Sequence, residues 1–416
     1  MTAAGAHARL PFSAVVKPNG AACNLDCSYC YFLPKEALDG TRAQTMTDDV
    51  LDAFLSRYLD ATPDGHVVIG WQGGEPTMRG LPFFRRAVER ADQLRRPRQH
   101  VTHAIQTNGT LLDDRWGEFL AEHRFVVGIS VDGPADLHDT NRVNRAGRGS
   151  HAAVVRGHDV LRRHGVDTSV LCAVNAVNGA HPLRVYRHLR DDLGARSLQF
   201  IPVVERATAD LLGAAERGWR DEDGGRVLSA QVGDRVTSRS VPPRVWGDFL
   251  RTVFDEWVRC DTARVSVQQF DALAASRAGR YELCVHAPTC GTLPAVMHTG
   301  DVYACDHYVE PDRLLGNVAA ATFSEMLTAP AQRAFGRSKR TGLSSTCRRC
   351  PVLGACWGGC PKDRFVPAPD GGAPQNYLCP GYRTFFEHAA PEVDALLSRS
   401  DRPGTTGRAP RPRSVD

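Results

Sequence analysis

From residue 13 to about 260, short apolar runs alternate with amphipathic stretches. The runs are SAVVK (13–17), HVVIGWQ (66–72), VTHAIQ (101–106), FVVGISV (125–131), DTSVLCAV (167–174) and SLQFIPV (197–203). They are rich in β-branched residues and continuously apolar, the pattern of strands covered on both faces. The stretches between them predict helices over 47–59, 81–96, 113–123, 151–164 and 181–193. In the first, Thr47 is placed to cap the N-terminus, and Asp48 and Asp49 favour the first turn. Six strand-then-helix units imply a parallel sheet with right-handed crossovers. Six are too few for a closed eight-stranded barrel, so the expected fold is α/β, an open partial (β/α)6 barrel.

The barrel is expected within residues 1–240, its core over 12–203. Residues 204–240 carry Gly and charge clusters and read as an irregular insertion. A helix over 243–259, within a connecting segment 241–280, leads into a region where periodicity weakens and Gly, Pro and Cys become frequent. That region, 281–390, has few apolar positions, and cross-links by metal clusters are expected to hold it. The stretch 398–416, rich in Pro, Gly and Arg, predicts a disordered tail.

Composition narrows the function. The net charge is +4, and five Arg against two Asp over 399–416 carry most of it. A nearly neutral body argues against a nucleic-acid surface. No run of eighteen apolar residues spans a membrane, and the start lacks the apolar stretch of a signal peptide, so a cytoplasmic setting is expected. Only Lys17, Lys35, Lys339 and Lys362 are lysines, a scarcity that reads as coding bias. Thirteen cysteines in a reducing compartment read as metal ligands rather than disulfides. Cys172 and Cys260 stand apart from the others and read as small buried hydrophobes.

The segment CNLDCSYC sets Cys23, Cys27 and Cys30 in a C-x3-C-x2-C array just after the first strand. An iron–sulfur cube takes four ligands, so three cysteines leave one iron open to a small molecule. Zinc is the alternative, but it wants a fourth ligand nearby, and 31–65 contains no His or Cys. Farther on, Cys284, Cys290, Cys305, Cys347, Cys350, Cys356, Cys360 and Cys379 follow the pattern C-x5-C-x14-C-x41-C-x2-C-x5-C-x3-C-x18-C. Eight cysteines fill two cubes, or two zinc ribbons.

The run KPNGAACNLDCSYCYF (17–32) resembles the signature of radical S-adenosylmethionine enzymes, in which the open iron holds the cofactor's amino and carboxylate groups. WQGGEP (71–76) resembles the element that meets the methionine amino group. Gly73 and Gly74 permit close backbone approach there, and Glu75 offers an acceptor. QTNG (106–109) and SVDGP (130–134) end the next two strands and point to Asn108 and Ser130 as ribose or methionine contacts. Arg142 resembles the arginine that pairs with the cofactor carboxylate. Phe200 and Ile201, with Pro202, end strand six and can pack on the adenine.

The second cysteine array resembles the SPASM domain, a two-cluster appendage of peptide-modifying radical enzymes. The resemblance implies one auxiliary cluster on Cys284, Cys290, Cys305 and Cys360, and another on Cys347, Cys350, Cys356 and Cys379. That makes three 4Fe-4S clusters in all. GDVYACDHYVEPDRLLGNV (300–318), CRRCPVLGACWGGCPKDRF (347–365) and NYLCPGYRTFF (376–386) look like the anaerobic sulfatase-maturating enzymes in particular. The likeness covers roughly residues 12 to 390.

By that resemblance the enzyme oxidises a Cys or Ser of a sulfatase to Cα-formylglycine. A 5′-deoxyadenosyl radical would take hydrogen from Cβ, and the auxiliary clusters would accept the remaining electron. Asp306, next to Cys305, matches the general base. Gln72 matches a residue that positions the target peptide, and Tyr31 can line its pocket. The implied partners are a protein or peptide substrate and an electron donor such as flavodoxin or ferredoxin. Two alternatives remain. One is a SPASM-type maturase that forms thioether or carbon–carbon cross-links in ribosomal peptides; the short stretch before Cys23, with no leader-gripping domain, weighs against it. The other is a non-catalytic iron–sulfur or zinc protein.

Overall fold

The computed structural model describes residues 9–39 and 45–400; from residue 401 on, the expected tail lies outside the described residues. The six apolar runs form six consecutive parallel strands: β1 Ala14–Lys17, β2 Gly65–Trp71, β3 Gln99–Thr107, β4 Val126–Ser130, β5 Asp167–Val174 and β6 Ser197–Pro202. Helices Asp48–Ala61, Gly80–Leu94, Asp114–Glu122, His151–Arg163 and Pro182–Arg187 return the chain between them. Thr47 caps the first helix, its hydroxyl accepting from the Val50 N–H at 3.3 Å. Asp113 caps the third in the same way through Trp116. Aromatic rings fill the layer between sheet and helices. Phe54, Trp71, Phe84, Phe119 and Phe125 are buried there and meet mostly edge to face, the geometry that ring quadrupoles prefer.

The sheet continues past both ends of this array. Ser266–Val267 adds a parallel strand beside β6. On the other side Ala295–Met297 pairs parallel with β1, and Asp301–Tyr303 and Leu314–Asn317 follow antiparallel. The outcome is a ten-stranded sheet whose two edge strands do not pair, a partial barrel that stays open. The cysteine-rich region therefore shares the barrel's backbone ladder.

That region also has more core than its composition suggests. Val296, Val302, Val318, Phe323 and Met326 join the main core. Helix Cys379–Ser400 packs along helix Pro243–Cys260, with Phe385 against Phe254 and Phe270. The two helices cross at Gly381 and Gly247, where a Cβ on Gly381 would lie 2.1 Å from the Pro243 carbonyl oxygen. The cross-links expected there would thus be added to a packed interface rather than replace one.

Residues 204–240 are likewise ordered around a small core of Ala207, Ala215 and Trp219. Strands Arg206–Ala207 and Arg235–Val236 pair, and helix Leu212–Glu216 lies between them. Buried Glu205 takes hydrogen bonds from Arg239, Thr237 and Trp219. Cys172 is buried as expected. Cys260 is exposed, because it ends its helix on the solvent side.

Candidate active site

The C-terminal ends of the strands open into a cavity of about 550 Å³. Cys27, Cys30, Ser130, Arg142, Ile201 and Gln72 reach it from the barrel, and Tyr31, Asp306, His307 and Lys362 form the wall on the cysteine-rich side. Barrel side chains and cysteine-rich region thus face one another across a single space.

The loop carrying Cys23, Cys27 and Cys30 is held from several sides. The Leu25 N–H donates to Cys23 Sγ at 3.3 Å and the Leu33 N–H to Cys30 Sγ at 3.4 Å. Asp26, between the first two cysteines, accepts from Arg220 at 2.8 Å and Arg226 at 2.5 Å, both from the 204–240 segment. All thirteen cysteines are free. Burial pushes the Cys23 thiol up to about 12, with the nearby Glu75 carboxylate adding to it. Burial likewise raises Cys27 and Cys30. Thiols that resist ionisation alone, with amide N–H groups aimed at sulfur, suit a centre whose iron balances the thiolate charge.

Of the other ten cysteines, all but Cys172 and Cys260 fall into two neighbourhoods. Burial raises Cys284, Cys290, Cys305 and Cys360, and mutual repulsion within that group adds to it. Cys356 and Cys379 are raised by burial and then by neighbours in the second group, Cys347 and Cys350 among them. Among the described residues no three His, Cys, Asp or Glu side chains converge on a single-ion site; a four-iron cube spreads its thiolates wider than one ion does.

The glycine turn after β2 is shaped by contact with this loop. Gly73 and Gly74 have φ of +93° and +49°, a region that costs glycine nothing. A Cβ on Gly73 would sit 2.1 Å from Lys17 Cδ, and one on Gly74 2.0 Å from the Ala22 carbonyl oxygen. The Glu75 N–H donates to that same oxygen at 2.9 Å. The Glu75 carboxylate departs from the expectation of a free acceptor. Its Oε1 accepts from the Thr77 N–H and from the Thr77 and Thr107 hydroxyls, and Oε2 accepts from the Asn108 N–H at 2.7 Å. Those bonds turn it into the protein, where it ties the ends of β2 and β3 together.

The other expected contacts divide. Ser130 lines the cavity and accepts from Gln106 at 3.0 Å. Asn108 donates to Asn24 at 2.8 Å and lies 3.7 Å from Cys23 Sγ, so it faces the cysteine loop. Ile201 lines the cavity and is 41% exposed. Phe200 does not. Alternation along β6 turns it to the opposite face, where it is fully buried against Phe249 with ring centroids 5.1 Å apart, and this corrects the expected adenine contact.

Several residues that organise the site were not singled out for these roles in the sequence. Asp132, two residues past Ser130, receives Arg142 Nε at 2.9 Å, the Tyr29 hydroxyl and the Ala173 N–H. It fixes Arg142 so that the guanidinium faces the cavity. Lys17, fully buried, forms an ion pair with Asp306 and lies over the Phe32 ring at 4.4 Å. Tyr31 donates to Asp306 Oδ2 at 2.5 Å. Burial pushes the Asp306 carboxyl up, but the Lys17 charge, His307 and the hydrogen bonds from Lys17 and Tyr31 outweigh it and leave it below the usual range. The carboxylate is therefore ionised at neutral pH. Lys35 donates to the Ser229 carbonyl, Lys339 to the carbonyls of Cys284 and Val285, and Lys362 to Asp363 at 2.6 Å. Lys17, through Asp306, and Lys362 thus belong to the cavity wall, while Lys35 and Lys339 brace backbone carbonyls, the latter at Cys284. Their scarcity in an arginine-rich chain was the signal available to find them.

Comparisons with known proteins agree with this geometry. The radical SAM superfamily model matches residues 20–189, and the SPASM iron-sulfur cluster-binding domain matches 290–351. A serine-type anaerobic sulfatase-maturating enzyme of Bacteroides thetaiotaomicron is 38% identical over 93% of this chain and 91% of its own. A cysteine-type enzyme of Clostridium perfringens is 30% identical over 92% of this chain and 97% of its own. The solved structure of native anSMEcpe with bound AdoMet and Cp18Cys peptide superposes with a TM-score of 0.79 at 28% identity, covering 94% of this chain and all of that one. The chain belongs to the anaerobic sulfatase-maturating enzymes, within the radical SAM superfamily.

Proposed function

We propose that this chain oxidises a Cys or Ser side chain of a sulfatase to Cα-formylglycine. The observation that carries the reading is the Lys17–Asp306–Tyr31 cluster, set in the wall of the cavity that also holds Cys27, Cys30, Ser130 and Arg142. In this reading Cys23, Cys27 and Cys30 hold the open cluster, and the two other cysteine groups hold the auxiliary pair, three 4Fe-4S clusters in all. When bound, these clusters and S-adenosylmethionine supply a radical that takes hydrogen from Cβ and an acceptor for the electron left behind.

The protein's own residues bind, orient and move the proton. Arg142, held by Asp132, offers its free guanidinium edge to a carboxylate of the cofactor. The backbone at Gly73–Glu75, drawn tight against Ala22, presents carbonyls to an ammonium group. Ser130 and Asn108 meet the polar middle of the cofactor, and Ile201 covers its base. Gln72 and Tyr31 position the peptide. Asp306, ionised, receives the proton that leaves the target thiol or hydroxyl. The reduced clusters require an electron donor such as flavodoxin or ferredoxin, and a reducing, cytoplasmic setting suits both. Family membership removes the non-catalytic alternative.

The test is anaerobic incubation of the reconstituted enzyme with a C/S-x-P-x-R peptide and S-adenosylmethionine, read by mass spectrometry. The expected product is the aldehyde. A cross-linked peptide of the same sequence would favour the ribosomal-peptide alternative.

A further inference from the structure

The nearly neutral net charge hides a local excess. Residues 326–362 hold seven Lys or Arg and no Asp or Glu. Two of the seven, Lys339 and Lys362, turn inward. The other five are exposed: Arg333, Arg337 and Arg340 on helix Pro330–Thr341, then Arg348 and Arg349. The spacing of the first three puts them on one helix face, while Gln332, Gly336 and Lys339 form the buried one. Arg348 donates to the Thr341 and Leu343 carbonyls at 2.8 and 3.1 Å, which holds its guanidinium at the end of the same helix. Arg340 lies over the Trp357 ring at 5.7 Å.

Among the described residues none of these five meets a carboxylate at ion-pair distance, whereas exposed Arg383 is paired with Glu387 at 2.8 Å. Five arginines on and beside this helix, none ion-paired among the described residues, form a positive field; the nearest acid shown is Asp370, which Arg349 reaches only through Ser345. The patch is also placed. Arg348 and Arg349 stand between Cys347 and Cys350, which are themselves partly exposed.

We propose that this arginine face docks a small acidic electron-carrier protein of the flavodoxin kind. The inference rests on the reading of Cys347, Cys350, Cys356 and Cys379 as cluster ligands. One electron passes per encounter: the flavin hydroquinone becomes the semiquinone, and the cluster goes from the 2+ to the 1+ state. Charge complementarity brings the carrier to the face and orients it, and the partly exposed cysteines set the cluster edge within reach. A nucleic acid would match the charge but gives no reason for the patch to flank these thiols.

The experiment uses the anaerobically reconstituted holoenzyme and an acidic flavodoxin in its hydroquinone form. Cluster reduction is followed by stopped-flow absorbance at low and high salt, and binding of the oxidised carrier by calorimetry. The second-order rate should fall about tenfold or more with added salt. It should fall similarly in Arg333→Glu/Arg337→Glu, and by less in Arg333→Gln/Arg337→Gln. Reduction by dithionite, iron content and dithionite-driven aldehyde formation should stay at the wild-type level in both variants. Wild-type rates with flavodoxin in the charge-reversed variant would overturn the proposal. So would loss of binding to a DNA duplex without loss of flavodoxin reduction, which would assign the face to nucleic acid. Failure of the wild type to form aldehyde with dithionite would instead reject the reaction, and the flavodoxin rates would still decide the docking surface.

Discussion

At the scale of single residues the site turns on a buried carboxylate with two partners. Asp306→Asn keeps the shape and removes the basicity, so the clusters should assemble and cofactor cleavage should continue in the presence of peptide. Aldehyde should fall by about 10²–10⁴-fold, measured together with 5′-deoxyadenosine in one reaction. Loss of both signals would make the residue structural. Lys17→Met leaves the carboxylate buried without its cation, a change that typically costs about 3–5 kcal/mol. Adding Asp306→Asn should recover much of that stability, and a thermal-unfolding double-mutant cycle measures the coupling. Asp306 was legible because it adjoins a patterned cysteine. Lys17 was not, since its partner lies far along the chain and only the fold brings them together.

At the scale of elements, the strands and helices of the barrel were readable because periodicity is local and strong. The extra strands were not. Ala295–Met297 and Ser266–Val267 are too short to show a period, and their pairing with β1 and β6 is decided by packing. Phe200 was misplaced for a related reason: a strand-end tripeptide does not say which side chain faces inward. The glycine turn after β2 makes the sharpest prediction here. Gly74→Ala must push a methyl into the Ala22 carbonyl at positive φ, so stability should drop by about 1–3 kcal/mol. Affinity for S-adenosylmethionine should drop with it, read by equilibrium dialysis on the reconstituted protein. The sheet carries a pH dependence too. His103 accepts from the Trp71 indole at 3.0 Å, and burial lowers it to about 4. An unfolded histidine binds its proton near pH 6.5, so stability should be full above that value and fall as the pH drops toward 4. The slope should approach about 1.4 kcal/mol per pH unit for this one residue. Denaturant midpoints across that range should fall less steeply in His103→Phe, which cannot titrate.

For the whole molecule, three cysteine groups predict about twelve irons per chain after reconstitution. Replacing Cys23, Cys27 and Cys30 by Ala should remove about four of them and abolish cofactor cleavage. Cys347→Ala should lower iron content while the protein stays folded, because helix Cys379–Ser400 is anchored on helix Pro243–Cys260 by its own aromatic contacts. The four lysines have a consequence at this scale as well. Lys17, Lys35 and Lys339 are fully buried, and Lys362 exposes 12% of its side chain into the cavity wall. Among the described residues, a folded molecule therefore offers amine-reactive reagents almost no side-chain amine. A lysine-specific protease will spare the native chain. Lysine acylation by an added anhydride, measured after storage or exposure to air, then counts the molecules whose site has come apart.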